Sequence, residues 1–182
     1  MLREIVATTE IPYAQFLPTH VNRNETLFLE SMEYALQGGI IDMTAGPLVD
    51  GSEVKASRGL KRCLDHGVPA ERITLTSDGQ GSVPIFDEHK VFIRLAVSQV
   101  DFLFQDIRDA ILQEGIAIET AIRTITRTPA EIYRLKGKGR IQPDFDADLV
   151  LVDPSTFELD TVIAKGRTLM LHKQVKATGT FE

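Results

Sequence analysis

Between residues 15 and 76 the sequence switches twice from short apolar runs to longer stretches of helical periodicity, and this alternation constrains the fold most. Gln15–Thr19 reads as a short extended segment ending in Leu17-Pro18-Thr19-His20. Asn24 can cap a helix over 25–37, where Leu27, Phe28, Met32, Ala35 and Leu36 recur at helical spacing and Gly38-Gly39 supplies the stop. Ile40, Ile41 and Met43 form a short buried-strand pattern. Ser52 opens a second predicted helix reaching His66, with Val54, Leu60, Cys63 and Leu64 inward and Gly67 and Pro69 ending it. Arg72–Thr76 alternates, with Ile73 and Leu75 on one side. Strand, helix, strand, helix, strand in units of roughly 30 residues is the grammar of repeated βαβ crossovers. Such crossovers imply parallel strands and an α/β fold.

The rest of the chain is less regular. Residues 83–94 read as a polar, mobile loop. An amphipathic helix is expected over 97–114, with Val100, Leu103, Phe104, Ile107 and Ile111 as its stripe, and Ile118, Ala121, Ile122 and Ile125 mark another. Thr128-Pro129-Ala130-Glu131 has the form of a capping box with proline at the first helical position, opening a helix that ends at Gly137. After Gly139 four short strand patterns follow, over 147–153, 157–164, 167–171 and 175–181. This is an all-β tail, and the expected boundary lies near Ile141, dividing the chain into 1–140 and 141–182.

Composition narrows the function classes. The formal charge of −6 and a pI of about 5.3 argue against a nucleic-acid binder, which would need a basic face. A lone cysteine, Cys63, excludes a disulfide framework and a Cys-rich zinc module. No apolar run is long enough to span a bilayer, so no membrane partner is expected. Met1–Tyr13 carries Arg3, Glu4 and Glu10 and lacks an apolar core of the signal-peptide kind, which points to a cytoplasmic protein.

His20 and Asp78 stand at the C-terminal ends of two predicted parallel strands, the edge at which α/β folds bind ligands and metals. Imidazole and carboxylate both suit zinc. Arg23 follows closely enough to grip a carboxylate with its fork. Gly79, Gly81 and Ser82 allow close backbone approach and offer donors. Plainer readings exist for each: a structural histidine at His20, a surface ion pair at Arg23, a tight turn over 78–81. His66 reads as a helix C-cap, His89 and His172 as solvated, and Cys63 as a small core residue. Asp144, Asp146 and Asp148 read as a turn into a strand rather than a calcium loop.

Pro18-Thr19-His20-Val21-Asn22-Arg23-Asn24, followed by Leu27-Phe28, resembles the isoaspartyl (β-aspartyl) dipeptidases of the amidohydrolase superfamily. Thr76-Ser77-Asp78-Gly79-Gln80-Gly81-Ser82 is similar to the last metal-and-acid motif of that family. Lys136-Gly137-Lys138-Gly139-Arg140-Ile141 and Asp146-Ala147-Asp148-Leu149-Val150-Leu151 resemble the return to a β-sandwich in many amidohydrolases, and Gly179-Thr180-Phe181-Glu182 resembles the family's C-terminus. The resemblance implies hydrolysis of β-aspartyl dipeptides by a two-zinc site in a TIM-like (β/α)8 barrel. It implies that His20 and Asp78 are metal ligands. Asp78 would also be the proton shuttle, Arg23 the partner of the substrate's α-carboxylate, and Ser82 a substrate contact.

The family's His-x-His pair, its bridging carbamylated lysine and its first single histidine have no counterpart here, and Pro143-Asp144 replaces a Pro-Gly turn. The expectation is therefore the C-terminal part of such a hydrolase. It would comprise the last three barrel strands with their helices and part of a small β-sandwich, inactive alone. Two rivals stand beside it. One is another amidohydrolase, of the dihydroorotase or hydantoinase kind, against which Arg23 argues because it suits a free α-carboxylate. The other is a non-catalytic, oligomerising fragment. Three strands cannot close such a barrel, so homo-oligomerisation is expected, with Phe16, Ile41, Ile73 and Leu75 near an uncovered face.

Overall fold

The structure is a computed structural model that describes residues 2–48 and 51–177. It divides into two compact units, Met1–Pro129 and Ala130–Glu182.

The first unit is built around a short parallel ladder. Its elements in order are helix α1 (Leu2–Thr8), a 3₁₀ turn (Tyr13–Gln15), helix α2 (Glu25–Leu36), strand β1 (Ile41–Thr44), helix α3 (Ala56–Asp65), strand β2 (Ile73–Thr76), strands β3 (Ser82–Phe86) and β4 (Phe92–Val97), and helices α4 (Phe102–Leu112) and α5 (Ile118–Arg123). β1 and β2 pair in parallel with Ile41 opposite Ile73, Asp42 opposite Thr74, Met43 opposite Leu75 and Thr44 opposite Thr76. The segment before His20 lies along β1 without forming a regular strand. The Asp42 amide donates to the Pro18 carbonyl (3.0 Å), and the Asp42 carbonyl accepts from Val21 N–H (3.2 Å).

Strand residues alternate between faces, and the ladder sorts its side chains accordingly. Ile41, Met43, Ile73 and Leu75 are buried in a core shared with Phe28, Met32 and Ala35 of α2, Leu60 and Cys63 of α3, and Ile107 and Ala110 of α4. The opposite face carries Asp42, Thr44, Thr74 and Thr76. Ile41, Ile73 and Leu75 are thus core residues, and Phe16 packs partly buried against them. The expectation that these four border an uncovered face is overturned, because the apolar alternation points at the helices.

Several boundaries differ from the sequence reading, each for a local reason. Asn24 caps α2 as expected, its side chain accepting from Leu27 N–H (2.9 Å). The second helix begins at Ala56 rather than Ser52. Asn22 captures the backbone ahead of it, donating to the Val54 carbonyl (2.8 Å) while its own carbonyl accepts from Val54 N–H (2.9 Å). Residues 83–94 form most of an antiparallel hairpin, not a loop. Asp87 makes its turn, its carboxylate accepting from the amides of His89 and Val91 (both 2.9 Å). The following helix begins at Phe102, since Val97 belongs to β4 and Val100 is 64% exposed. Helix α6 (Arg127–Ile132) starts before Thr128, whose hydroxyl donates to the Ala70 carbonyl (3.1 Å), so the predicted capping box does not form and Pro129 is the third helical residue.

The second unit contains a four-stranded antiparallel sheet in sequential order, β5 (Leu149–Val152), β6 (Leu159–Ala164), β7 (Arg167–Leu171) and β8 (Gln174–Val175). Lys138 joins its edge by ion pairs to Asp146 (2.7 Å) and Asp148, which ties down the predicted turn into the first strand. Residues 178–182, including the C-terminal motif, lie outside the described residues.

Candidate functional site

The loops following the Pro18–His20 segment, β1 and β2 open into one cavity of about 130 Å³ in the first unit. His20, Arg23, Asp78 and Ser82 all line it, together with Asn22, Thr44, Gly46, Lys55 and Ser98 among others. Four residues singled out from two motifs more than fifty positions apart therefore converge. His66, His89 and His172 lie elsewhere. His66 caps α3 and pairs with Glu33 (3.0 Å), while His89 and His172 are exposed beside Glu88 and Asp160.

His20 and Asp78 share an unusual backbone. Their φ angles are 57° and 49°, in the left-handed region that residues other than glycine seldom occupy. Such conformations persist only where the surroundings over-determine them. Around His20 the two β1 hydrogen bonds to Pro18 and Val21 bracket the residue, and its Nδ1 sits 2.6 Å from the Thr44 hydroxyl. That contact leaves Nε2 available to a ligand. Asn22 is buried and locks the same corner: its amide donates to the Thr44 carbonyl (2.9 Å) and its oxygen accepts from Thr44 N–H (2.8 Å). Arg23 is exposed and forms no ion pair with the described residues, so its guanidinium is open to an anion.

Asp78 rides on a tight turn closed by Gly81 N–H to its carbonyl (2.9 Å). A Cβ at Gly81 would lie 2.8 Å from that carbonyl oxygen and 3.2 Å from the Asp78 carboxylate, so glycine is what allows the turn. Ser98 straps the loop down: its amide donates to Gly81 O (2.8 Å), its carbonyl accepts from Gln80 N–H (2.9 Å), and its hydroxyl donates to Ser77 O (2.8 Å). The tight-turn reading of 78–81 holds, and the turn also delivers Asp78 to the cavity.

The sequence reading missed two buried carboxylates. Asp42 is 2% exposed and accepts from the hydroxyls of Thr19 (2.7 Å), Thr74 (2.7 Å) and Thr76 (2.8 Å). Burial pushes its carboxyl above the usual range, against the three hydroxyls and the nearby His20, which hold it down. Asp106 of α4 is 3% exposed and accepts from Gly46 N–H (3.1 Å) and Ser57 N–H (3.3 Å). It thereby fixes the loop after β1 and the first turn of α3, which has no side-chain cap of its own. Burial raises its carboxyl as well. The signal for Asp42 was available: an acid inside Ile40-Ile41-Asp42-Met43 opposite a Thr-x-Thr strand.

The sequence matches the amidohydrolase family over residues 22–169. The chain belongs to the amidohydrolase family. Its fold is similar to that of a crystallised β-aspartyl dipeptidase from the thermophilic, keratin-degrading Fervidobacterium islandicum AW-1 in complex with β-Asp-Leu. The TM-score is 0.83 and the identity 34%, over 98% of this chain and 45% of that one. A second crystal structure of the β-aspartyl dipeptidase from that organism gives a TM-score of 0.80 at 32% identity, over 98% and 44% of the two chains. Similarity to a crystallised enamidase, TM-score 0.61 at 13% identity over 96% and 44%, extends the shared fold to a distant amidohydrolase. The chain spans less than half the length of the solved dipeptidases it matches.

A zinc site asks for imidazole and carboxylate donors, usually four ligands in all. His20 and Asp78 are donors of the right kinds on one cavity. Among the described residues no group of three or more His, Cys, Asp or Glu is arranged to hold a metal ion. The pair therefore fits a share of a zinc shell, not a whole one.

Proposed function

We propose that this chain carries the His20, Arg23, Asp78 and Ser82 share of a zinc-dependent site that hydrolyses β-aspartyl dipeptides. In this reading residues 1–140 correspond to the last three strands and following helices of a (β/α)8 barrel, and residues 141–182 to part of a β-sandwich. The observation that carries the proposal is the convergence of these four residues on one cavity. Similarity to a dipeptidase crystallised with β-Asp-Leu supplies the substrate class.

The roles follow from the side chains. His20, with Nδ1 engaged by Thr44, offers Nε2 as a neutral ligand. Asp78 offers a carboxylate both to a metal and, as general base then acid, to a proton moving from water to the leaving amine. Arg23 matches a free α-carboxylate bidentately. The Ser82 hydroxyl at the cavity wall contacts the bound dipeptide. Zinc, when bound, would lower the pKa of water and polarise the scissile carbonyl. Since no group of three or more metal-binding side chains is arranged to hold an ion among the described residues, the chain alone is expected to hydrolyse β-Asp-Leu no faster than buffer.

Zinc and β-Asp-Leu titrations test the reading. Zinc binding should be lost in His20→Ala and Asp78→Ala, and dipeptide binding weakened about tenfold or more in Arg23→Ala. Zinc binding indifferent to both ligand substitutions would overturn it. Zinc-dependent turnover by the chain alone, abolished in Asp78→Ala, would overturn the incomplete shell.

Homo-oligomerisation is a second proposal, supported by the hairpin residues Phe92, Ile93, Leu95 and Val97, each more than half exposed. Sedimentation velocity at micromolar concentration should find an assembly; a single monomeric species would refute it.

A further inference from the structure

We infer that Asp42 is a positioning residue whose Oδ2 clamps together the two chain segments that deliver His20 and Asp78, an inference that rests on the zinc reading proposed above. The Oδ2 atom accepts from two hydroxyls at once, Thr19 at 2.7 Å and Thr76 at 2.8 Å. Thr19 immediately precedes His20, and Thr76 stands two residues before Asp78. One oxygen on the central strand therefore fixes where both side chains leave the ladder. The backbone of the same residue grips Pro18 and Val21, on either side of the left-handed His20.

Packing alone gives no reason for this arrangement. A buried carboxylate is costly, and an apolar replacement of similar size in such a position is often neutral or stabilising. An acid held there by three hydroxyls makes sense where geometry matters more than stability. The third hydroxyl provides an internal control. Thr74 donates to Oδ1 at 2.7 Å, is buried mid-strand and adjoins neither candidate ligand.

The test uses the full chain without metal and reads the ring resonances of His20 and the carboxyl resonance of Asp78 by NMR. If Asp42 clamps the two ends, Thr76→Val shifts the His20 ring signals and Thr19→Val shifts the Asp78 carboxyl signal, each variant reporting on the far end. Thr74→Val, which loses a comparable bond, leaves both in place, and Asp42→Asn moves both. The inference is overturned if each variant disturbs only its sequence neighbours, or if Thr74→Val moves both signals as much as the others. Should Asp42→Asn not fold, the threonine variants carry the test unaided.

Zinc affinity, measured by chelator competition, should fall about tenfold in Thr19→Val and Thr76→Val and change little in Thr74→Val. Zinc binding that ignores His20→Ala and Asp78→Ala would remove the metal reading while the cross-shifts still judge the clamp.

Discussion

The parallel ladder and the hairpin that follows it differ sharply, although both are rich in apolar residues and both reach the cavity. In β1 and β2, Ile41, Met43 and Ile73 are fully buried and Leu75 is 3% exposed. In β4, Phe92, Ile93, Leu95 and Val97 are each more than half exposed. The ladder alternates strictly, Ile-Asp-Met-Thr beside Ile-Thr-Leu-Thr, so helices can cover one face while hydroxyls and a carboxylate satisfy the other. The hairpin places apolar residues on both faces, Phe86, Phe92, Leu95 and Val97 on one and Val83, Ile85 and Ala96 on the other, with a bulge at Ile93 between Phe92 and Arg94. Apolar content alone does not say which strand is core. What decides is whether the apolar residues fall on one face.

The largest expected effect is at the ladder. Ile41→Ala should cost about 3 kcal/mol in urea unfolding of the unit that holds it, through lost transfer energy and a cavity. Leu95→Ala in the hairpin should cost less than about 0.5 kcal/mol. Equal costs would break the contrast between the two regions. Gly59→Ala comes next. Helix propensity favours alanine by about 1 kcal/mol, but the new Cβ would lie 2.7 Å from Met43 Sδ and 3.3 Å from Phe28 Cε2. A net loss of about 1–2 kcal/mol is expected, measured the same way. A stabilised variant would show that the core behind the ladder is looser than described.

Asn22→Ala should destabilise the corner between His20 and α3 by about 2 kcal/mol, since Thr44 and Val54 lose their buried partners. Hydrogen exchange at Thr44 would report the opening.

Cys63 sharpens the comparison chemically. It packs against the ladder's apolar face with no exposure, and burial pushes its thiol up to about 12 from the ordinary 9.0. The folded state therefore holds this proton more tightly than the unfolded chain does. The corresponding stability is complete below pH 9.0 and is lost as the pH rises towards about 12. A thiol reagent at pH 8 should label Cys63 only at the rate of unfolding; rapid labelling of the native chain would mean that the helix-covered face opens readily.

Much of the architecture was legible in the sequence because one-sided periodicity and caps are local signals. The α2 cap at Asn24 and the ladder strands at Ile41–Thr44 and Ile73–Thr76 are of this kind. The candidate site residues His20, Arg23, Asp78 and Ser82 were named from short motifs, and the fold brings them to one cavity. What escaped depended on contacts distant in sequence. The late start of α3 follows from Asn22, thirty-two positions before Val54. Asp42 acts across both neighbouring segments, and Asp106 joins Gly46 from sixty positions away. The hairpin at 82–97 was hidden by Asp87-Glu88-His89-Lys90, whose polarity belongs to the turn alone.

The central claim is that His20 and Asp78 form the metal-binding share of one site. Crystals of the chain grown with zinc and measured at the zinc absorption edge test it most directly. The account predicts an anomalous peak within about 2.0–2.2 Å of His20 Nε2 or an Asp78 carboxylate oxygen. Zinc found only at the other histidine–acid pairs, His66 with Glu33 or His172 with Asp160, would contradict it.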